Sequence, residues 1–355
     1  MKKEYEHFIW DKFSDQPCVI ENKKFKKNAR LKYLLDYLRL FITTIFILPI
    51  SLFFMLFLKN KNKKSSINFY GIGVNLDKGN IQQDLVEELG VKNLLIRIPL
   101  SDIENLDKYY EFCKSFTKKS KKNIVLNIIQ NRENIDNLEL FAKNITLIFN
   151  KFNKFVYEYQ IATTINRIKW GFFAPCEYLR LYKIAYDIKC SKFPDIRLIG
   201  PSVIDFEYHY AIRALFNFYN LKFDIANALL YVDRRGSPFN KQYLFFDTLK
   251  KVKLFASLAK LSPKTSNKVY ITEVNWPLKD TAPYAPTSQK ECVSNEEYCK
   301  YMLEYHKIVL QTGLVEKVFW HQLVAPGYGL VDNRDGKVIK LPQFYAYKEM
   351  INARD

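Results

Sequence analysis

The chain alternates short apolar runs of strand length with segments whose apolar residues recur every three or four positions. This alternation is typical of a parallel α/β domain, in which a helix follows each strand and packs on the sheet. We predict strands over residues 67–76, 93–100, 123–129, 155–163, 196–204, 225–232, 268–274 and 317–323. We predict helices over residues 81–89, 106–116, 137–150, 177–188, 243–261, 296–311 and 342–351. Eight such strands indicate a closed (β/α)8 barrel, the TIM-barrel fold.

A doubly wound open sheet is the competing α/β architecture. It would be favoured by a GxGxxG turn directly after the first strand. Here Gly71 and Gly73 lie inside the first predicted strand instead. A chain of 355 residues that is 48% hydrophobic can bury one large core, so we expect a single barrel domain over residues 67–355.

Residues 40–58 form an uncharged and mostly apolar run. At ~1.5 Å per helical residue, this run nearly matches the ~30 Å hydrocarbon layer of a bilayer. We therefore predict a transmembrane helix over residues 38–58, between a basic N-terminal segment (1–37) and a Lys-rich linker (59–66). A cleaved signal peptide fits poorly, because the run starts far from the N-terminus and no small-residue cleavage site follows it.

Basic residues flank this helix on both sides and bear on its orientation. They are Lys23, Lys24, Lys26, Lys27, Arg30, Lys32 and Arg39 before it, and Lys59, Lys61, Lys63 and Lys64 after it. The larger group before the helix favours a cytoplasmic N-terminus. This predicts a single-pass protein of the bacterial inner membrane with a periplasmic barrel. Alternatively, Pro49 breaks the span, the segment stays in one leaflet, and the barrel lies on the cytoplasmic face, held to anionic lipid by the basic clusters.

The net charge of +18 does not by itself indicate nucleic-acid binding, because no binding motif accompanies it and lipid headgroups explain the densest Lys runs. The six cysteines form no CxxC pair and no metal-ligand spacing with the four histidines. We therefore expect no metal and no cofactor. Cys292 and Cys299 either close a short disulfide or remain free thiols.

Glu273 is the residue that most strongly indicates chemistry. It lies at the C-terminal end of the seventh predicted strand, shortly before Trp276. Barrel enzymes place catalytic groups at this end of their strands, and a carboxylate there suits a glycosidic nucleophile. A second carboxylate is expected at the end of an earlier strand, but the fourth predicted strand ends in Thr163 and Thr164.

Several residues together resemble the clan A glycoside hydrolases, with family 39 as the nearest type. The resemblance covers residues 67–350 and rests on Arg97, Asn166-Arg167, Lys169-Trp170-Gly171, Tyr231, Glu273 and Trp320-His321. It implies that Glu273 is the nucleophile and that Arg97 and Tyr231 position and ionise it. The Asn-Glu pair that supplies the acid/base in this clan falls on Thr163 and Thr164. A threonine hydroxyl cannot replace that carboxylic acid near neutral pH.

Further residues near the predicted strand ends are candidates for ligand contacts. Aromatic rings suit the apolar faces of sugars, His321 and Asn166 offer hydrogen bonds, and Arg234 and Arg235 suit an anionic group. The candidate aromatic residues are Trp170, Tyr231, Trp276, Trp320 and Tyr328. Packing in the core or the rim is the alternative for each ring, and a surface turn is the alternative for residues 231–238. Asp205, Glu207 and His209 are replacements for the lost acid, or solvated loop charges.

Two functions follow from this interpretation. The first is a membrane-anchored glycoside hydrolase or transglycosidase that acts on a bacterial surface glycan or a lipid-linked saccharide. The second is a catalytically inactive glycan-binding barrel involved in the assembly of cell-envelope polysaccharide or lipopolysaccharide. In both, the partners are a saccharide and, through residues 38–58, membrane lipid. A structural ion pair between Glu273 and Arg97 is the remaining alternative.

Overall fold

The computed structural model describes residues 6–60 and 66–353 of the chain. Eight parallel strands close into a barrel in chain order, and the last strand pairs with the first. These strands are β3 (Tyr70–Val74), β4 (Asn93–Pro99), β5 (Asn123–Ile129), β6 (Glu158–Ile161), β7 (Arg197–Ile204), β8 (Ile225–Leu229), β9 (Val269–Val274) and β10 (Lys317–Trp320). The predicted (β/α)8 barrel is therefore confirmed.

Helices surround the barrel and bury an apolar face against its outer wall. They are α3 (Gln82–Leu89), α4 (Leu106–Thr117), α5 (Arg132–Asp136), α6 (Leu138–Phe152), α7 (Pro175–Lys192), α8 (Tyr208–Leu215), α9 (Thr248–Leu261), α10 (Asn295–Thr312) and α11 (Pro342–Asn352). The predicted helices correspond to most of these elements. The helix expected to start at residue 243 begins at Thr248, because the side chain of Asp247 caps it by accepting a hydrogen bond from the backbone of Lys250. The short helix α8 was not predicted.

The barrel encloses a small apolar core that is separate from the larger core between the strands and the helices. Its members come from six of the eight barrel strands, all except β3 and β6: Leu95, Val125, Ile199, Ile225, Tyr270 and Phe319. Burial of each such side chain contributes roughly 1.5–3 kcal/mol. The interior is therefore packed, and the open space lies at the C-terminal ends of the strands, here called the mouth.

The residues before the barrel form four elements that lie against it. They are the hairpin strands β1 (Trp10–Asp11) and β2 (Gln16–Pro17), followed by α1 (Lys23–Leu31) and α2 (Leu34–Leu56). Within residues 6–60 and 66–353, α2 alone is long and apolar enough to cross a membrane. One side of α2 packs on α8 and α9, while most of its surface faces outward. A small antiparallel pair, β11 (Val331–Asp332) and β12 (Ile339–Lys340), precedes α11.

All six cysteines are free thiols in the structure. Cys292 and Cys299, for which the sequence left a disulfide open, are not bonded to each other. Cys113 is fully buried in the core, and burial raises the pKa of its thiol. The cysteines therefore contribute no covalent bond to the fold.

Candidate functional site

The carboxylate of Glu273 lies at the mouth, held by one donor on each of its oxygens. Arg97, near the end of β4, donates from Nη2 to Oε2 at 2.9 Å. Tyr231, just after β8, donates from its hydroxyl to Oε1 at 2.6 Å. The structure thus brings together the three residues for which the resemblance implied catalytic roles, and it fixes the carboxylate in one orientation.

The surroundings of Glu273 favour its ionised form. Burial by itself would raise the pKa of this carboxyl, but positive charge on His321 and Arg97 and the hydrogen bond from Tyr231 lower it below its ordinary value. Burial and the nearby Glu273 raise the pKa of Tyr231, so its hydroxyl keeps the proton that it donates. The result is a positioned anion, which suits either a nucleophile or an acceptor for ligand hydroxyl groups.

His321, directly after β10, is buried beside this pair. Its Nε2 lies 3.2 Å from Nη2 of Arg97, and its ring stacks on Tyr328 at 5.6 Å between centroids. Burial, together with the positive charge of Arg97, lowers the pKa of His321 to about 4 although Glu273 opposes the shift. The imidazole is therefore neutral near pH 7, and at that pH Arg97 and Tyr231 are the groups that stabilise the carboxylate.

A cavity of about 280 Å³ opens above Glu273. At the end of β6, Thr164 lines this cavity, while Thr163 is fully buried and exchanges hydrogen bonds with the amide side chain of Gln130. The first residue that lines the cavity after β6 is therefore a threonine. The volume is slightly below the ~300–1,000 Å³ of typical ligand pockets.

The N-terminal hairpin fills part of the mouth, and its Asp15 reaches Arg97. Three donors converge on Oδ2 of Asp15: Asn75 Nδ2 at 3.1 Å, Gln322 Nε2 at 3.0 Å and Arg97 Nη1 at 3.4 Å. Burial alone would raise the pKa of Asp15, but Arg97, Lys78 and the bond from Gln322 lower it overall. Arg97 therefore bridges two anions, one from the barrel and one from the N-terminus.

Local contacts hold the hairpin in the shape that delivers Asp15. The carboxylate of Asp11 accepts from the backbone of Phe13 at 2.9 Å and from the hydroxyl of Ser14 at 2.6 Å. Asp15 itself has φ +53°, a left-handed conformation that Asp adopts more readily than most residues. The amide side chain of Gln16 then accepts from Lys169 at 2.8 Å and donates to the carbonyl of Pro286 at 3.1 Å.

The predicted aromatic contacts divide into two groups. Trp170 lines the cavity and packs edge-on against Trp10 of the hairpin, and Tyr231 and Tyr328 also line it. Trp276 and Trp320 are instead fully buried, stacked on each other at 5.7 Å, and do not line the cavity. Their indole N–H groups donate to Gly236 and Tyr298. A sugar in this cavity would not reach these two rings, contrary to the expectation from the sequence.

The polar candidates after the fourth and fifth barrel strands, β6 and β7, are largely paired with one another. Asn166 bonds to the backbone of Ile204 and to Glu207, and it does not line the cavity above Glu273. Arg167 forms ion pairs with Asp205 and Glu207. These contacts tie the β6 and β7 ends together. His209 lies in α8, and burial lowers the pKa of its imidazole.

The two arginines after β8 occupy different positions. Arg235 lines the cavity, with its guanidinium 3.7 Å from the ring centroid of Tyr231 and 3.6 Å from Asp205. Arg234 is exposed and lines a neighbouring pocket, where its φ is +49°. A ligand above Glu273 would therefore meet Arg235 first.

Two acidic residues of the cavity were not anticipated from the sequence. Asp15 comes from the hairpin, and Glu291 comes from the loop between β9 and α10. Neither follows directly after a barrel strand, so position relative to the strands could not identify them. In the described ranges, no group of three or more His, Cys, Asp or Glu side chains is arranged to hold a metal ion.

No protein-family model and no curated protein sequence matches the chain. Solved structures do. The family 1 β-glucosidase from Thermotoga maritima superposes with a TM-score of 0.59 at 14% identity, over 82% of this chain and 99% of that protein. The family 39 glycoside hydrolase from Xanthomonas axonopodis pv. citri gives a TM-score of 0.58 at 15% identity, over 82% of this chain and 68% of the other.

A family 39 β-xylosidase from Caulobacter crescentus gives a TM-score of 0.59 at 13% identity, over 84% of this chain and 74% of its own. The fold is that of the clan A glycoside hydrolases. At these identities the similarity describes the barrel alone. The chemistry must be argued from the residues of this chain.

Proposed function

We propose that the protein is a membrane-attached glycoside hydrolase or transglycosidase, in which Glu273 is the nucleophile that attacks the anomeric carbon of a saccharide. One observation carries this proposal: each oxygen of the Glu273 carboxylate accepts one hydrogen bond, from Arg97 and from Tyr231, below an open cavity. A nucleophile needs an ionised carboxylate in a fixed orientation, and these contacts supply both.

The ligands of the structurally similar proteins support a saccharide as the ligand of this chain. The Thermotoga maritima β-glucosidase has been solved in complex with azafagomine, deoxynojirimycin and glucoimidazole, which are sugar-like molecules. In the present chain the cavity offers the ring of Trp170, the hydroxyl of Tyr328 and the guanidinium of Arg235 beside the carboxylate. Rings and hydrogen-bonding groups together match the two faces of a pyranose.

A residue elsewhere in the cavity must supply the acid/base, because Thr164 occupies the position after β6. Asp15 is unsuitable, because its lowered pKa keeps it ionised. Asp205 and Glu291 also line the cavity. Asp205 pairs with Arg167, whereas Glu291 forms no ion pair within the described part of the chain. We propose Glu291 as the first candidate, because it lines the cavity without the ion pair that Asp205 makes. In a retaining enzyme the second carboxyl works at roughly 5–5.5 Å from the nucleophile.

The second candidate function is saccharide binding without turnover. The threonine at the acid/base position favours it, because general acid help is worth about 10²–10⁴ in rate and a hydroxyl of ordinary pKa cannot supply it. In this function Glu273 accepts hydrogen bonds from sugar hydroxyl groups. The two candidates use the same cavity and differ in whether a covalent bond forms at Glu273.

The test uses the full chain in detergent micelles and aryl glycosides with dinitrophenyl leaving groups. Such a leaving group departs with little acid assistance, so Glu273 can react even with a weak acid/base. We expect a covalent glycosyl adduct on Glu273, found by mass spectrometry, and loss of turnover by at least about 10³-fold in Glu273→Gln. Glu88→Gln is the matched control, because Glu88 makes only partly exposed ion pairs, with Lys340 and Lys348.

An adduct on another residue, or turnover that survives Glu273→Gln, would refute the nucleophile. Saccharide binding that depends on Glu273 but produces no adduct would favour the second candidate. Glu291→Gln then tests the acid: it should slow natural glycosides much more than dinitrophenyl glycosides, because only the former need a proton on the leaving oxygen.

Membrane attachment is the remaining part of the proposal. The length and composition of α2 and the basic residues around it support attachment to a bacterial inner membrane. An attached barrel would meet a surface glycan or a lipid-linked saccharide at high local concentration. Sedimentation of the full chain with the membrane fraction, and its release by detergent but not by high salt, is the corresponding test.

A further inference from the structure

Helix α2 is fixed to the barrel at both of its ends. Near its start, the buried Asp36 accepts from Arg213 of α8 at 2.6 Å and 3.0 Å, and from the backbone N–H of Cys176 at 2.8 Å. Near its end, the backbone carbonyl of Ser51 accepts from the hydroxyl of Ser257 on α9 at 2.9 Å. Both charged side chains of this ion pair are buried. A membrane anchor that did not dock on the barrel would make no such contact.

The direction of α2 follows from these contacts. Cys176 lies at the N-terminal end of α7, which begins at the mouth, and Ser257 lies in the second half of α9, toward the opposite end of the barrel. Helix α2 therefore runs from the mouth to the base along the outer wall. A surface that covers its outward face would lie parallel to the barrel axis.

The outward face of α2 consists of large apolar side chains at helical spacing. It includes Leu35, Leu38, Phe46, Ile50, Phe53 and Leu56, each more than half exposed. An exposed apolar stripe of this length on a barrel helix marks an interaction surface. Its occupant must be apolar along the whole length of α2.

Three polar side chains on this helix are paired within the protein. The hydroxyls of Thr43 and Thr44 each donate at 2.7 Å to backbone carbonyls one turn earlier, those of Arg39 and Leu40. The charge of Asp36 is neutralised by Arg213. In a hydrocarbon environment unpaired polar groups are costly, so this arrangement suits lipid contact.

A basic groove adjoins the mouth end of the same face. It is lined by Lys23, Lys26, Lys27 and Arg30 of α1 together with Leu31, Leu34, Tyr37 and Tyr210, and its volume is about 630 Å³. None of these lining residues is acidic. Positive charge beside an apolar stripe is the pattern that recognises an anionic lipid surface.

The chain on either side of α2 is attached to the same barrel. Before α2, the hairpin inserts Asp15 into the mouth, where it contacts Arg97. After α2, the chain enters β3 and the rest of the barrel. A helix that crossed a bilayer would place these two parts on opposite sides, which the contact between Asp15 and Arg97 does not permit.

We propose that α2 does not cross the membrane but lies in one leaflet, with its outward face among the acyl chains and the groove of α1 bound to anionic phospholipid headgroups. The barrel then lies on its side on the membrane, and its mouth opens along the membrane surface. This inference rests on the membrane attachment proposed above and is independent of the chemistry at Glu273.

Two native cysteines report the topology. Cys18 precedes α2, Cys190 lies in the barrel, and both are exposed. The full chain is expressed and labelled with a membrane-impermeant maleimide in sealed right-side-out and inside-out vesicles, and the labelled peptides are identified by mass spectrometry. Cys18→Ser and Cys190→Ser confirm the assignments. We expect both cysteines to label in the same type of vesicle.

Labelling of Cys18 and Cys190 in opposite types of vesicle would overturn the inference but leave membrane attachment intact. Absence of the chain from the membrane fraction would refute both this inference and membrane attachment. If the outward face instead covers a second copy of the chain, the protein will be a dimer in solution without lipid, and this result also overturns the proposal.

The headgroup contact has its own measurement. Flotation with phosphatidylglycerol vesicles compares the wild-type chain with the pair Lys26→Glu and Arg30→Glu. At about 1 kcal/mol for each basic residue near the surface, binding should weaken at least ~30-fold. The matched control is Lys118→Glu with Lys121→Glu, the same charge change on the exposed loop between α4 and β5. Headgroup binding in the groove would be refuted if the two pairs of substitutions weakened vesicle binding equally. It would also be refuted if the wild-type chain bound neutral phosphatidylcholine vesicles as well as phosphatidylglycerol vesicles.

Discussion

The carboxylate of Asp15 lies 3.4 Å from Nη1 of Arg97, the same guanidinium whose Nη2 holds Glu273 at 2.9 Å. One buried cation therefore connects the N-terminal hairpin to the centre of the site. Burial alone would lower the pKa of Arg97, but Glu273 and Asp15 raise it overall, so the guanidinium stays charged. The position of the hairpin and the electrostatics of Glu273 are consequently linked through one residue.

Asp15→Asn should loosen the hairpin without changing its shape. The amide retains one acceptor oxygen but loses the charge that Arg97 neutralises, a change worth about 1–3 kcal/mol for a hydrogen bond to a charged group. Amide hydrogen exchange in residues 10–17 should accelerate by roughly tenfold or more, since 1.4 kcal/mol corresponds to a factor of ten.

Asp205→Asn is the control for the hairpin experiment, because Asp205 lines the same cavity but pairs with Arg167. Exchange in residues 10–17 that is unchanged in Asp15→Asn would show that the carboxylate does not hold the hairpin. In the wild-type chain, a saturating saccharide larger than the cavity should also accelerate amide exchange in residues 10–17, because the saccharide and the hairpin compete for the mouth.

Tyr231→Phe should raise the pKa of Glu273, since it removes a hydrogen bond to the ionised form. The acidic limb of the kcat/KM profile should therefore move to higher pH. Carbodiimide modification of Glu273, followed by mass spectrometry, gives the same information without turnover.

Tyr328→Phe is the matched control for this titration, because its hydroxyl accepts from Gln322 and makes no bond to Glu273. The prediction fails if the two variants titrate alike.

Acid should destabilise the protein between pH 6.5 and pH 4 through two buried histidines. Burial lowers the pKa of both His306 and His321 from 6.5 to about 4. Between these values the unfolded chain binds more protons than the folded one, so stability is complete above pH 6.5 and falls as the pH drops toward 4. Each histidine contributes on the order of 3 kcal/mol to this loss.

His306→Phe separates the two contributions. It keeps an aromatic ring in the cluster with Trp320 and Tyr347 but removes the titrating group. Denaturant titrations at several pH values should show a pH dependence reduced by about half in this window. An unchanged slope would mean that His306 is protonated in the folded state.

Asp36→Asn should destabilise the chain by about 3–5 kcal/mol, because it leaves Arg213 buried without a counter-charge. The double variant Asp36→Leu with Arg213→Met should recover most of that loss. Thermal unfolding in detergent provides the measurement, with Asp77→Asn as the control, because the Asp77 carboxylate is largely exposed where it pairs with Lys78. A negligible effect of Asp36→Asn would indicate that α2 is not docked on α8.

The sequence predicts those parts of the molecule in which local pattern and structure coincide. The barrel strands are apolar runs that must be buried on both faces, so their order and approximate bounds follow directly from the residues. Glu273, Arg97 and Tyr231 are found for the same reason, since each lies at or near the end of such a run. Helix α8 is as short as the predicted α3, and it was missed because its first residues were interpreted as part of the loop after the fifth predicted strand.

Other features depend on contacts that no local pattern records. Asp15 is separated from Gln322 by 307 positions, and the hairpin strands have only two residues each. The stacking of Trp276 on Trp320 depends on the relative register of β9 and β10, which shifts between Val318 and Trp320. From the sequence, both tryptophans appear equally suited to a ligand.

The separation between Asp15 and Gln322 also sets an order of assembly. The hairpin is synthesised before the barrel, but one of its partners belongs to the connection between β10 and α11. It can dock fully only after β10 has been made and has closed against β3. The mouth of the barrel is therefore completed late, by residues that were made before the barrel strands.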